Sequence, residues 1–167
     1  SLCFFIENFG EKISKEEKDK IMDAILKHTE TYLKQYCVSK PITNQRLWGT
    51  TGLAAAYKLI PERADWREAV LAAIEKSLKE QNNDGSFQYY PNYQEINGHP
   101  GMADITTHYH AKHIAFIIDS LEKINEPMDE YLEPLKKATD FLVGMYQPDG
   151  VKNIYLLSAV DGGDYEV

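Results

Sequence analysis

Cysteine is scarce: Cys3 and Cys37 are the only two, too few and too far apart for a disulfide framework or a zinc site. Either suits a small buried hydrophobe. Long apolar runs are missing as well. The longest stretches, such as Leu53 to Ala56 and Ile114 to Ile118, fall far short of the ~20 residues a membrane span requires, so no membrane insertion is expected. Basic clusters interleaved with aromatics are absent, and 26 acidic against 18 basic residues leave a formal charge of -8. Such a balance repels phosphate backbones and argues against nucleic acid. The opening Ser1-Leu2-Cys3-Phe4-Phe5-Ile6 has neither an initiator Met nor a basic leader, so it is not a complete signal peptide and leaves the compartment open. It reads as the tail of an earlier helix.

What is present is ordinary for one folded domain: 167 residues, 43% hydrophobic and 26% charged. Within it a phrase recurs. Gln81-Asn82-Asn83-Asp84-Gly85 and Gln147-Pro148-Asp149-Gly150 each close a helical pattern with a tight polar turn, and Ala73 and Ala138 stand 11 positions before the two aspartates. The second Asp-Gly follows the first by 65 residues, room for two helices and a loop. A unit of that size cannot bury its own apolar faces and must lean on its neighbours. The turns themselves read as structural, Asp supplying local hydrogen bonds and Gly a positive φ.

Helices account for most of the chain. Ser14 and Glu17 form a capping box, after which Ile21, Ala24, Ile25, His28, Tyr32 and Leu33 follow helical spacing until Pro41. A second helix runs from about Asn44 to Ile60, stopped by Pro61; its middle, Trp48 to Ala56, is apolar or small nearly all round and predicts a helix packed on every side. A third is expected to be capped by Asp65 and to turn Val70, Ala73, Ile74 and Leu78 inward. Asn82 to Met102, with three tyrosines, four asparagines, three glycines and two prolines, reads as a long functional loop. Asp104 or Thr106 opens a fourth helix reaching Ile124, and Met128 to Met145 forms a fifth.

Amphipathic outer helices thus alternate with nearly all-apolar inner ones. The expected fold is all-α: antiparallel helical hairpins of an α/α toroid, residues 1–167 forming one domain of an incomplete barrel or a piece of a longer chain. The mouth of such a ring is built from inner-helix N-termini, whose free amides favour anionic groups. Asn44, Gln45, Arg46 and Trp48 would meet His108, Tyr109 and His110 there.

Imidazole and phenol are suited to proton transfer. In β-elimination of a uronic-acid glycan, a base takes the C5 proton, a neighbouring amide or cation neutralises the carboxylate, and an acid protonates the departing glycosidic oxygen. Tyr109 as base and acid, His108 or His110 as assistant, and Asn44, Gln45 or Arg46 as neutraliser fill those roles. Tyr89, Tyr90 and Tyr93 suit a sugar-stacking rim, although they equally suit a loop packed on itself. Trp48 and Trp66 are read first as core. No metal and no cofactor is expected: His110 and His113 have a His-x-x-His spacing, without the His-Glu-x-x-His pattern of a zincin.

The order Asn44-Gln45-Arg46-Leu47-Trp48, Asp65-Trp66, Asp84-Gly85-Ser86-Phe87 and His108-Tyr109-His110 resembles the alginate lyase and heparinase-like superfamily of α/α toroid polysaccharide lyases over about residues 44 to 124. The resemblance implies a polysaccharide or oligosaccharide partner, a catalytic Tyr109 and a carboxylate-binding Asn44. Gln45 stands where the family has a histidine, and Met102 and Ile105 where it has an arginine. Two alternatives stay open: a glycan-binding or scaffold domain without turnover, and a toroid like those of terpenoid cyclases and prenyltransferases, whose repeat turn the Gln-x-x-Asp-Gly-Ser-Phe phrase also resembles.

Overall fold

The computed structural model describes residues 1–88 and 107–144, without the side chains of Val38, Thr107 and His108. Among the described residues the chain is all-helical, with no strand. The elements are α1 (Leu2–Phe9), α2 (Lys15–His28), a π-helical segment (Thr29–Leu33), α3 (Lys34–Ser39), α4 (Thr43–Leu59), α5 (Ala64–Lys79), α6 (Thr107–Lys123), a 3-10 turn (Asp129–Tyr131) and α7 (Leu132–Gly144). No helix among the described residues is long and apolar enough to cross a membrane.

The starts and stops follow local chemistry. Ser14 caps α2 through the Glu17 amide at 3.3 Å while the Glu17 carboxylate accepts from the Ser14 amide at 2.9 Å, the reciprocal pair expected of a capping box. Lys40, forced extended by Pro41, ends α3 at φ -74°, ψ 122°. The helix begun at Lys15 runs on to Ser39, but through a π-helical segment that the apolar spacing does not announce. The start of α5 differs from expectation. Its first-turn Asp65 makes no cap bond; the carboxylate instead accepts from Arg63 at 3.0 Å and from Lys34 at 2.6 Å. Two cations close by outcompete a backbone amide for that carboxylate, and they hold its pKa well below the usual range, Arg63 first.

The core gathers Leu47, Leu53, Trp66, Val70, Ile74, Phe87, Ile117 and Leu121, all 2% exposed or less. Trp66 is locked by its indole N–H donating to Glu30 at 2.9 Å and by the Arg63 guanidinium over its ring at 4.6 Å. Cys3 and Cys37 are buried free thiols; burial pushes the pKa of the Cys37 thiol up to about 11.

Residue pairs fix the helix directions. Arg46, near the start of α4, meets Ser77 and Glu80 at the end of α5, so those two helices run in opposite senses. Between α4 and α6, Trp48 stacks on Phe116 and the Thr51 hydroxyl donates to Asp119 at 2.6 Å. Both pairs differ by 68 residues, so α4 and α6 run side by side in the same sense, starting at the same end.

The turn after α5 locks this assembly. Asp84 accepts from the Ser86 amide and hydroxyl at 2.9 and 2.6 Å, Gly85 adopts φ 91°, and Gln81 reaches across to donate to the Pro134 carbonyl of α7 at 2.9 Å. Its expected counterpart at Asp149-Gly150 lies outside the described residues.

Candidate functional site

Helix α4 is covered on all sides but one. Thr43, Asn44, Arg46, Leu47, Gly49, Thr50, Leu53, Ala54 and Ala56 are buried, whereas Gln45, Trp48, Gly52 and Ala55 form a stripe at helical spacing that is only half-buried or, at Trp48, 63% exposed. The expected helix packed on every side is therefore open along one edge, and Trp48 is not core. Small and apolar residues line an open cleft as readily as a packed face, so composition does not distinguish the two.

Trp48 stands beside a groove of about 280 Å³ that it lines with Leu33, Tyr36, Gln45 and Gly49. A Cβ on Gly49 would lie 3.0 Å from that of Tyr36, so the glycine is what lets the tyrosine come so near α4. The Tyr36 ring continues a row with Tyr32 and His28, with centroids 6.5 and 5.5 Å apart, and the Lys40 ammonium sits 4.4 Å over it. Tyr32, which follows the helical spacing of Ile21, Ile25 and Leu33 in sequence, is nonetheless 54% exposed. Aromatic faces, an amide and a cation thus share one surface.

The other expected site residues divide. Asn44 is buried at the first turn of α4, which starts without a side-chain cap, and its Oδ1 has no partner among the described residues; neither has Oγ1 of the adjacent buried Thr43. Two unmatched buried polar atoms at one helix start are costly, about 1–3 kcal/mol each. Tyr109 is half-buried at the start of α6, with the Lys112 ammonium 5.7 Å from its ring centre. By the 68-residue register Asn44 lies level with position 112, so Tyr109 stands three residues away, roughly 4.5 Å along the shared axis at the helical rise.

Arg46 is not at the surface. It is fully buried, donating to Ser77 at 3.0 Å and to the Lys40 carbonyl at 3.1 Å while pairing with Glu80. A guanidinium so engaged ties α4 to α5 and to the approach of Pro41, and it is left out of the groove. The side chain of His108 and all of Tyr89, Tyr90 and Tyr93 lie outside the described residues. Nothing in the residue spacing marked Tyr36, which reaches the groove from α3.

His110 is fully buried with both ring nitrogens engaged: Nδ1 accepts from the Phe87 amide at 3.2 Å and Nε2–H donates to the Ala138 carbonyl at 2.7 Å. The acceptor at Nδ1 requires the neutral ring. Burial lowers its pKa, with the Ala138 carbonyl and the Asp84 charge pulling the other way. His113, equally buried, sets its ring edge-on to Phe87 at 5.8 Å. Among the described residues no group of three or more His, Cys, Asp or Glu is arranged to hold a metal ion.

A lowered histidine pKa has a definite sign in folding. The unfolded chain binds the proton more readily, so His110's contribution is complete above the ordinary value near 6.5 and is lost as pH falls from there towards the lower native pKa. The slope approaches about 1.4 kcal/mol per pH unit in that window. Urea midpoints measured from pH 7.5 down to 5 are expected to fall for the wild type and to fall less steeply for His110→Gln. Parallel slopes for the two would contradict the neutral, buried assignment.

Comparison with known proteins supplies no relative for this arrangement: no family model, curated protein or solved structure matches the chain.

Proposed function

We propose that the chain is a carbohydrate-active α/α toroid domain, built from antiparallel helical hairpins, that binds a uronic-acid glycan at the open edge of α4 and cleaves it by β-elimination. The ring reading is supported by the parallel course of α4 and α6 with α5 antiparallel to α4, the arrangement of inner and outer helices in such a ring.

The observation that carries the glycan reading is Trp48. An indole 63% exposed on the open edge of a largely buried helix, beside Gln45 and the Tyr36 ring, is a surface on which the apolar face of a sugar ring can stack while its hydroxyls reach an amide. In the reaction, Tyr109 removes the C5 proton of the uronic unit. Those electrons form the C4–C5 double bond, the C4–O bond breaks, and the departing oxygen takes the proton back from the phenol. Asn44 turns its amide to the carboxylate; which end of an amide faces a ligand is set by the hydrogen bonds available.

Binding without turnover is the second reading, favoured by His110: a histidine with both nitrogens held by the backbone does not serve as an assistant in proton transfer. Calorimetric titration with oligouronates tests the part common to both. Trp48→Ala is expected to weaken binding by tenfold or more, about 1.4 kcal/mol upward for the loss of a central aromatic contact, with an unchanged melting temperature. Equal affinity for the two proteins would remove the platform.

A further inference from the structure

The aromatic row beside the groove runs farther than the groove itself. His28, Tyr32, Tyr36 and Lys40 follow one another at intervals of four. In an α-helix each such step drifts about 40° round the axis, so a row of this length leaves its face. Here the row crosses the π-helical segment Thr29–Leu33, where the Lys34 amide bonds to the Thr29 carbonyl five residues back. The wider turn cancels part of the drift, and the rings stay in line with centroids 5.5 and 6.5 Å apart.

Two close approaches place the row against α4. Gly49 faces Tyr36 and Gly52 faces Leu33, so the two segments run in opposite senses and Lys40 comes about level with Gln45. The Lys40 carbonyl, which accepts from Arg46 at 3.1 Å, agrees with that level. At the other end His28 borders a hollow of about 410 Å³ that Trp48 and Leu33 also border, as they border the groove. The row thus accompanies Trp48 along α4, leading away from the end where Tyr109 stands.

This strip is free of negative charge. The chain has 26 acidic residues, yet none of the described ones lines either hollow. Lys40 holds its ammonium over the Tyr36 ring and has no carboxylate partner among the described residues; the Gln45 amide makes no hydrogen bond to them either. A cation and an amide left open side by side suit an acidic, hydroxyl-bearing chain. Tyr32, 54% exposed, is held between His28, nearly parallel at 22°, and the tilted Tyr36. A ring so ordered loses little freedom when a ligand lies against it.

We infer that this row extends the groove as a track for further units of an oligouronate, Lys40 pairing with a carboxylate at the Trp48 end and Tyr32 and His28 meeting units farther from Tyr109. The inference rests on the glycan reading and adds to it that the ligand is a polyanionic chain held over several units.

Calorimetry with oligogalacturonates and oligomannuronates, each as dimer and hexamer, tests it. The hexamer of at least one series is expected to bind about tenfold or more tighter than its dimer. Tyr32→Ala is expected to weaken hexamer binding about fivefold or more and to leave the dimer unchanged, whereas Trp48→Ala weakens both. Lys40→Met is expected to weaken the hexamer by a similar factor and to flatten its dependence on salt, and Lys40→Arg to keep both near the wild type. Equal affinity for dimer and hexamer, a hexamer indifferent to Tyr32→Ala, a salt dependence unaltered by Lys40→Met, or neutral maltohexaose bound as tightly as the uronates would each overturn the track and leave the Trp48 groove standing. No binding of any oligouronate by the wild type would remove the glycan reading and the track with it.

Discussion

Gly85→Ala is expected to lower stability by about 4 kcal/mol or more, a large loss for the addition of one methyl group. Two independent costs add. The residue sits at φ 91°, where an L side chain is strained by about 1–2 kcal/mol. Moreover, the new Cβ would lie 2.3 Å from the Lys137 carbonyl oxygen and 2.5 Å from its carbon. That obstacle is helix backbone, which cannot swing aside as a side chain can. The turn must lift from α7, stretching the Gln81 bond to Pro134 and the Phe87 bond to His110, at roughly 0.5–1.5 kcal/mol each. It must also begin to uncover Phe87, now 2% exposed, whose full burial is worth about 1.5–3 kcal/mol. Against a total of about 5–15 kcal/mol for a domain, this is a large fraction. Urea unfolding measures it, and a loss below about 1 kcal/mol would show that the turn is not seated on α7 as described.

Tyr109→Phe is expected to cut turnover of a uronic-acid glycan by about 10²–10⁴, the usual contribution of a positioned acid or base, while moving the melting temperature by no more than a few degrees. The contrast between the two readouts is what makes the substitution informative. Only the phenol oxygen is removed; the ring, half-buried near Lys112, keeps its packing. Loss of activity with intact folding assigns the oxygen to chemistry. Full activity would remove Tyr109 from the reaction and with it the reason for reading the start of α6 as catalytic.

How much of this was legible beforehand depends on the range of the interaction concerned. The capping box at Ser14, the stops at Pro41 and Pro61 and the Asp84-Gly85 turn are decided by neighbours within a few residues, and each stands where the residues place it. Arg46 illustrates the opposite case. At a helix start its guanidinium suits an anionic ligand, yet it is drawn inside by Ser77 and Glu80, 31 and 34 residues away, partners that no local pattern reveals. Asp65 is a similar case, drawn from capping by Lys34 at a separation of 31 residues. Trp48 erred in the other direction: its apolar neighbours promised burial, but the stripe Gln45, Trp48, Gly52 and Ala55 runs along an uncovered edge. Whether a small apolar face meets a partner or a cleft is a property of the assembled helices.

Helices α4 and α6 run in like sense and so bring their first turns to one end, as the register of Trp48 with Phe116 and Thr51 with Asp119 shows. Buried atoms left unmatched at Thr43 and Asn44 are uncommon in folded proteins and call for a partner.

The most direct measurement is the ultraviolet absorbance of the unsaturated uronide formed when a C4–C5 double bond appears, followed while the folded chain is incubated in turn with alginate, heparan, hyaluronan and pectic substrates. The account predicts a steady rise on at least one of these, abolished in Tyr109→Phe. A flat trace on every substrate, from protein whose circular dichroism shows its helices intact, would contradict it.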